Sequence, residues 1–410
     1  MNRRVVITGA GAVTPLGIGV AATWEAMRAG RHGVAPITLV DVSDYRVHLA
    51  CEVKGFEPTD FIERKEARRM DRFCQFAVAA AVEAFADAGL KPGSFDPYRA
   101  AVQIGSGIGG LRTSESETLR LRDNGPGKVA PLVVPMMIIN MAAGQIAMRF
   151  GMKGSCSSVV TACSSGANAI GDAFRMIKHG YADVCLAGGA EASITPLGLA
   201  GFTQIHAMSE STDPDRASIP FDAERDGFVI GEGAGIVVME EYEAAKARGA
   251  RILGEVSGYG STCDAYHMTA PDPEGEGAAR SMTLAMQEGG VSAKDIGYIN
   301  AHGTSTPPND RVETLAIRKA FGGDAEALAV SSTKSMTGHM LGAAGAVEAI
   351  ACLCAMHHGF LPPTVGYRVE DSECDLDYIP NVGRAADVRY CLSNSFGFGG
   401  HDVTLLLGKL

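Results

Sequence analysis

The sequence predicts an α/β fold built on a buried sheet, and three observations carry that reading. Apolar, β-branched runs alternate with Ala-rich segments of helical period from one end of the chain to the other. Fifty-one glycines against 18 prolines and a single tryptophan, Trp24, fit many tight turns between strands and helices, not a collagenous or disordered chain. With 410 residues, 46% of them hydrophobic, the chain can bury a large core and is long enough for two domain-sized units.

In order, the short apolar runs predict strands at 4–8, 100–104, 184–187, 236–240, 296–301, 329–332 and 403–407. The Ala-rich stretches of helical period predict helices at 21–28, 69–88, 166–179, 241–248, 278–288, 310–321 and 343–358. A strand, a Gly/Ser-rich elbow and an Ala-rich helix follow one another at 157–179 and again at 329–358. The first elbow holds Cys163; the second holds Lys334 and His339. A Gly-rich strand turn also recurs, at Leu186-Ala187-Gly188-Gly189-Ala190-Glu191 and at 393–400. We read two related halves facing each other, residues 1–250 with the nucleophilic cysteine and 251–410 with a His/Lys/His set and a Gly-rich gate, with no low-complexity linker between them.

The net charge of -11 argues against nucleic acid as a partner, and an acidic partner would need a local basic patch. The start, Met1 to Gly9, is too short and Gly-broken for a signal peptide, which places the protein in the cytoplasm. The most membrane-like window, 130–151, is interrupted by Pro131, Pro135, Asn140, Gln145 and Arg149, so it reads as a buried loop leading into a helix at a subunit interface, not a span. Ten cysteines without framework spacing are expected to be reduced thiols, most of them core filler.

One cysteine stands apart. Cys163, in Val160-Thr161-Ala162-Cys163-Ser164-Ser165-Gly166, precedes a helix whose dipole and free N–H groups can stabilise a thiolate. His302, in Ala301-His302-Gly303-Thr304-Ser305-Thr306, falls at a strand end where side chains emerge into a cleft. His339 sits at the mouth of the second elbow helix, and Lys334 lies between strand and helix with Glu313 and Glu348 as candidate partners. These four residues describe a nucleophile beside a basic, hydrogen-bond-donating pocket for developing negative charge, which points to acyl transfer through a thioester. Residues 394–400 hold enough glycine around Phe396 and Phe398 for the backbone to approach a ligand, forming half of an oxyanion hole with the N–H of Cys163 as the other half. An aromatic in such a Gly hinge can also act as a movable gate.

Two motifs are set aside. The run Thr8-Gly9-Ala10-Gly11-Ala12-Val13-Thr14-Pro15 resembles a dinucleotide-binding turn, but Pro15 spoils the helix start that would hold a pyrophosphate. Cys352, Cys354, His357 and His358 lie nearly consecutively on one helix and point in divergent directions, so no metal is expected there.

The motifs, in this order, resemble the β-ketoacyl-[acyl-carrier-protein] synthases of the condensing-enzyme, thiolase-like group, closest to the bacterial type II elongating enzymes. The resemblance runs through Val5-Val6-Ile7-Thr8-Gly9, Thr161 to Gly166, Ala187 to Glu191, Pro220-Phe221-Asp222, Arg225 to Phe228, Asp264 to Thr269, and the His302, Lys334/His339 and 394–400 segments. It implies a duplicated five-layered αβαβα fold and a homodimer whose subunits each help wall the other's site. In that scheme Cys163 takes the acyl chain from acyl carrier protein, and malonyl-carrier loses carbon dioxide and attacks the acyl-enzyme. His302 and His339 assist decarboxylation, Lys334 with Glu348 organises the pocket electrostatically, Phe398 gates entry, and Ile108 lines the acyl pocket. The acidic carrier docks on Lys65, Arg68 and Arg69. No cofactor is implied, with room for a structural monovalent cation as in some relatives. Departures are His206 at a docking position that is basic in relatives, Asn309 where Gly is common, and Gly400-His401-Asp402 in place of a Thr-Asn or Gln-Asn ending.

Other readings are a polyketide ketosynthase, with the same chemistry but another acyl pocket, and a non-catalytic partner subunit that sets product length, against which Cys163 argues. A thiolase would normally carry a second catalytic cysteine where this chain has His302 and His339.

Overall fold

The computed structural model describes residues 3–410. Ten strands form the path of one continuous sheet: β1 (Val5–Thr14), β2 (Ala100–Gly105), β3 (Cys156–Val159), β4 (Val184–Glu191), β5 (Gly233–Glu241), β6 (Gly254–Cys263), β7 (Ile296–Asn300), β8 (Ala329–Ser331), β9 (Tyr390–Gly397) and β10 (His401–Gly408). Their order is β8-β7-β9-β10-β6-β1-β5-β4-β2-β3. Outward from the centre, β1 pairs antiparallel with β5, β5 antiparallel with β4, and β4, β2 and β3 run parallel. From β6 outward the same pattern recurs through β10, β9, β7 and β8. The two five-strand motifs meet where β1 and β6 pair antiparallel.

Helices fill three further layers. Helix α1 (Arg72–Asp87) covers the outer face of β1, β5 and β4, and α3 (Glu276–Gly289) covers β6 and β10, flanked by α4 (Pro307–Phe321). Between the two halves of the sheet lie α2 (Ser165–Lys178) and α5 (Ala344–His358), packed on each other and on strands of both motifs. Because α5 is apolar on every face up to its terminal His357 and His358, Glu348 apart, it belongs in a core, and that is where it sits. Among the described residues, 341–358 is the one stretch long and apolar enough to cross a membrane, and 83% of it is buried inside the fold.

The two central helices nearly touch at their N-terminal ends. A Cβ on Gly166 would stand 2.7 Å from the carbonyl oxygen of Gly342, closer than real Cβ atoms approach, so only glycine fits. This contact brings the two elbows together.

The expected elements are present with shifted ends, and several were missed. β6 carries Gly254, Gly258 and Gly260, which hide its strand pattern; a Cβ on Gly258 or Gly260 would collide with the backbone of α3, so these glycines let the helix sit down on the strand. β9 was missed because Ser393, Asn394 and Ser395 read as a polar loop, yet all three are buried inside the strand. Helix Leu111–Asn124 has almost no apolar residues and gave no periodic signal. Leu186 to Glu191 is not a turn but the end of β4, the counterpart of β9. The predicted helix from residue 69 starts at Arg72, capped by Asp71 Oδ1 accepting the N–H of Phe73. Residues 8–14 continue β1 and form no phosphate-binding turn. The 130–151 segment leads into the expected helix, Met141–Phe150, but begins as a short helix, Val133–Met137, and not a loop, and in the single chain Leu132, Val134, Met137 and Ile138 are exposed.

Candidate active site

Both elbows are strained in the same way. Ala162, just before Cys163, and Leu341, just after His339 and Met340, are non-glycine residues held at φ 50° and 47°. Such positions cost energy and persist where the surroundings fix them. Here the clamps are visible: Ser165 Oγ accepts the N–H of Thr161 at 2.9 Å, and Ser164 Oγ lies 2.9 and 2.7 Å from the carbonyls of Ser395 and His401. The cysteine is thereby fastened to the strands on either side of the Gly-rich turn.

Cys163, His302, His339 and Phe398 line one cavity of about 270 Å³. The imidazole centroids of His302 and His339 are 5.3 Å apart with their planes at 84°. His339 is pinned on both sides of its peptide, its N–H to Val229 O at 2.7 Å and its carbonyl to Gly231 N–H at 2.8 Å. His302 is held through its backbone by Glu313, which accepts the N–H groups of His302 at 2.8 Å and Gly303 at 2.7 Å and the side-chain amide of Asn394 at 3.1 Å. Burial, then the nearby Lys334 charge, keeps both imidazoles well below their ordinary pKa, and His339 adds to the effect on His302. Both are therefore neutral at pH 7, fit to donate a hydrogen bond and unfit to act as strong acids.

Lys334 is completely buried and its ammonium pairs with Glu348 Oε1. Of its two expected partners only Glu348 takes the role; Glu313 is turned away toward the backbone at His302. Burial raises the Glu348 carboxyl, with the Lys334 charge pulling the other way.

The expectation of a stabilised thiolate is corrected. Burial pushes the Cys163 thiol up to about 12, and the lowering effects of Lys334 and of the backbone N–H groups of Phe398 and Cys163 itself fall short of it. The resting residue is a thiol. Those two N–H groups nonetheless converge beside the sulfur, as an oxyanion hole requires. Only 397–400 forms the turn; Asn394 is locked within β9.

Glu191 is a residue that sequence reasoning missed. Completely buried, it accepts the N–H groups of Gly107 at 2.7 Å, Ile108 at 3.2 Å and Gly342 at 3.1 Å, and so ties the loop carrying Ile108 to the second elbow. The available signal was a single acid ending an otherwise apolar strand. Ile108 is half-buried against the apolar cluster that contains Cys163, Phe228 and Leu341. Lys65, Arg68 and Arg69 lie together on and just beyond the helix Arg64–Ala67, exposed and without an ion-pair partner among the described residues. His206 and Asn309 both border the cavity. Among the described residues no group of three His, Cys, Asp or Glu could hold a metal ion, and His358 stacks on Trp24.

A duplicated α/β fold with a buried thiol and two imidazoles around one cavity, and a buried Lys–Glu pair whose charge reaches all three, defines a thiol-based acyl-transfer class of enzyme. Residues 2–245 match the family described as beta-ketoacyl synthase, N-terminal domain, and residues 253–368 the corresponding C-terminal domain. The chain belongs to the beta-ketoacyl synthase family. It is 52% identical over 409 residues to the 3-oxoacyl-[acyl-carrier-protein] synthase 2 of Synechocystis sp., covering 100% of this chain and 98% of that one. It is 50% identical over 408 residues to the protein of the same name from Staphylococcus aureus, covering 100% and 99%. Among solved structures it superposes with a TM-score of 0.94, at 34% identity and 100% coverage of both chains, on a type II polyketide ketosynthase bound to its acyl-carrier protein and a hexaketide.

Proposed function

We propose that the protein is a 3-oxoacyl-[acyl-carrier-protein] synthase that elongates fatty acyl chains by two carbons through decarboxylative condensation with malonyl-carrier. The observation that carries this reading is one cavity lined by a buried thiol and two neutral imidazoles, with the Phe398 turn at its wall.

Cys163 Sγ attacks the acyl-carrier thioester, and its proton passes to the departing carrier thiol. Malonyl-carrier then enters past Phe398. Its carboxylate leaves as carbon dioxide, and the electron pair left on carbon delocalises onto the thioester oxygen, which accepts hydrogen bonds from His302 and His339. Neutral imidazoles suit this task because they donate without readily protonating the carbanion. The carbanion attacks the Cys163 thioester, whose tetrahedral oxyanion rests against the N–H groups of Cys163 and Phe398. The thiolate then leaves and takes a proton from solvent. No cofactor is required.

In this reading residues 1–250 supply the nucleophile and 251–410 the decarboxylating set. Lys334 and Glu348 fix the field in the pocket, Ile108 bounds the acyl chain, and a second copy of the chain completes its wall. The exposed Lys65, Arg68 and Arg69 receive the acidic carrier, a role supported by their lack of internal partners. The free cysteines fit a reducing, cytoplasmic setting.

A polyketide ketosynthase is the second reading, favoured by the overlay on a polyketide enzyme at a TM-score of 0.94. The deciding experiment follows condensation of fatty acyl-carrier primers with malonyl-carrier, together with the mass of the enzyme, for the native protein and Cys163→Ala. Two-carbon extension and an acyl adduct that both vanish in Cys163→Ala support the proposal. Absence of an adduct with every fatty primer moves the assignment to polyketide carriers.

A further inference from the structure

The cavity wall also holds two acids that face each other. Asp402 stands near the start of β10, just past the Gly397–Gly400 turn; it is 3% exposed and its Oδ2 has no hydrogen-bond partner. Asp264 follows the last residue of β6. Their carboxyl groups meet over Gly277 in the first turn of α3, where a Cβ would overlap both Asp264 Oδ1 and Asp402 Oδ2. The missing side chain makes the room for the pair. Backbone bonds join the same segments: Asp264 N–H donates to Gly400 O and Gly399 N–H to Met268 O, each at 2.9 Å, while Asp264 Oδ2 accepts the N–H of Asp272 at 3.0 Å. The turn that carries Phe398 is thus hung on the 264–272 loop.

Two carboxylates in contact at a buried site repel, whereas one proton between them turns repulsion into a hydrogen bond. The charged groups that act most strongly on Asp402 are Asp264 and Asp272 from the loop and Glu313 from α4, all acids, while His302 lines the same cavity as a neutral imidazole and His401 adjoins it in the chain. Its strand neighbours, Thr262 on β6 and Phe396 on β9, carry no charge, and α3 presents Gly277. Burial first, and the Asp264 charge second, push the Asp402 carboxyl up to about 9.

We propose that Asp402 is a positioning residue for the Phe398 turn: at neutral pH it carries a proton and donates it in a hydrogen bond to Asp264, fastening the turn to the 264–272 loop. Loss of that proton sets two carboxylates against each other and releases the backbone that presents Phe398 and its N–H to Cys163. The proposal rests on the condensing reaction inferred above.

Asp402→Asn keeps a donor at every pH and serves as the reference. The test measures kcat/KM with malonyl-carrier for the native protein and Asp402→Asn from pH 6.5 to 10, taking the ratio so that ionisations common to both cancel. The native-to-variant ratio is expected to fall about tenfold between pH 8 and pH 10, as a group titrating near 9 requires. Thermal melting of both proteins without substrate gives the second readout. Because native folding holds a proton that the unfolded chain releases above pH 4 or so, the Asn variant is expected to melt higher, by a margin that widens from pH 5 to pH 9. A flat kcat/KM ratio with a flat melting difference overturns the proposal. If neither protein condenses malonyl-carrier, the reaction assignment fails, and the melting difference alone decides whether the proton is shared.

Discussion

Glu313 and His302 are joined through the main chain, the carboxylate accepting the histidine's N–H at 2.8 Å. The imidazole that lines the cavity is thereby aimed by a group that is not part of the cavity wall. Replacing Glu313 by Ala strands three buried donors, on His302, Gly303 and Asn394, at about 1–3 kcal/mol for each one left unsatisfied. Glu313→Ala is expected to lose several kcal/mol of stability in urea unfolding and to slow malonyl-carrier decarboxylation. A variant that unfolds like the native protein would mean that water or a neighbouring group satisfies those donors.

Lys334 and Glu348 form a pair with no access to solvent. Removing one partner leaves the other charge uncompensated in the core. Lys334→Met is therefore expected to cost about 3–5 kcal/mol, whereas Lys334→Met with Glu348→Leu recovers most of that loss. Activity should follow a different pattern, remaining low in both because the field in the pocket is gone. Denaturant midpoints set beside initial rates separate the two effects; recovery of rate together with stability would assign the pair to folding alone.

The sequence reading reached the site more readily than the sheet. That Cys163, His302, Lys334 and His339 come together was legible because each stands among small residues where a strand gives way to a helix or turn, a pattern with few structural causes. Glu348 and Glu313 could be named but not told apart, since both are acids on helices and only the fold turns one toward Lys334 and the other toward the His302 backbone. Glu191 and Asp402 were passed over as partners because what each binds comes from segments far apart in the chain, Gly107 and Gly342 for one and Asp264 for the other. β6 escaped notice for a related reason: its glycines serve the close approach of α3, a demand that local periodicity does not record.

The protonation of Cys163 makes a prediction of its own. A thiol pushed up to about 12 by burial reacts through a small thiolate fraction, so alkylation by iodoacetamide is expected to rise about tenfold per pH unit through pH 9 without a plateau. The Lys334 charge favours the thiolate, so Lys334→Met should slow the reaction further at every pH. Peptide mass spectrometry of the Cys163 site gives the rate directly, and a plateau near pH 7 would show that the bound thiolate is stabilised after all.

The buried histidines shape stability on the acid side. Their folded-state pKa values lie well below 6.5, so between pH 6.5 and those values the unfolded chain binds protons that the fold refuses. Stability should then fall as pH drops through this window, with the two sites acting in the same direction. Above pH 6.5 both states hold neutral imidazole and the contribution is flat. In the His302→Asn/His339→Asn variant the decline from pH 6.5 to pH 5 is expected to be shallower than in the native protein, even if the variant starts from a lower value. Urea unfolding at half-unit pH steps measures that slope, and parallel slopes in the two proteins would show that the imidazoles take up protons in the fold as they do in the open chain.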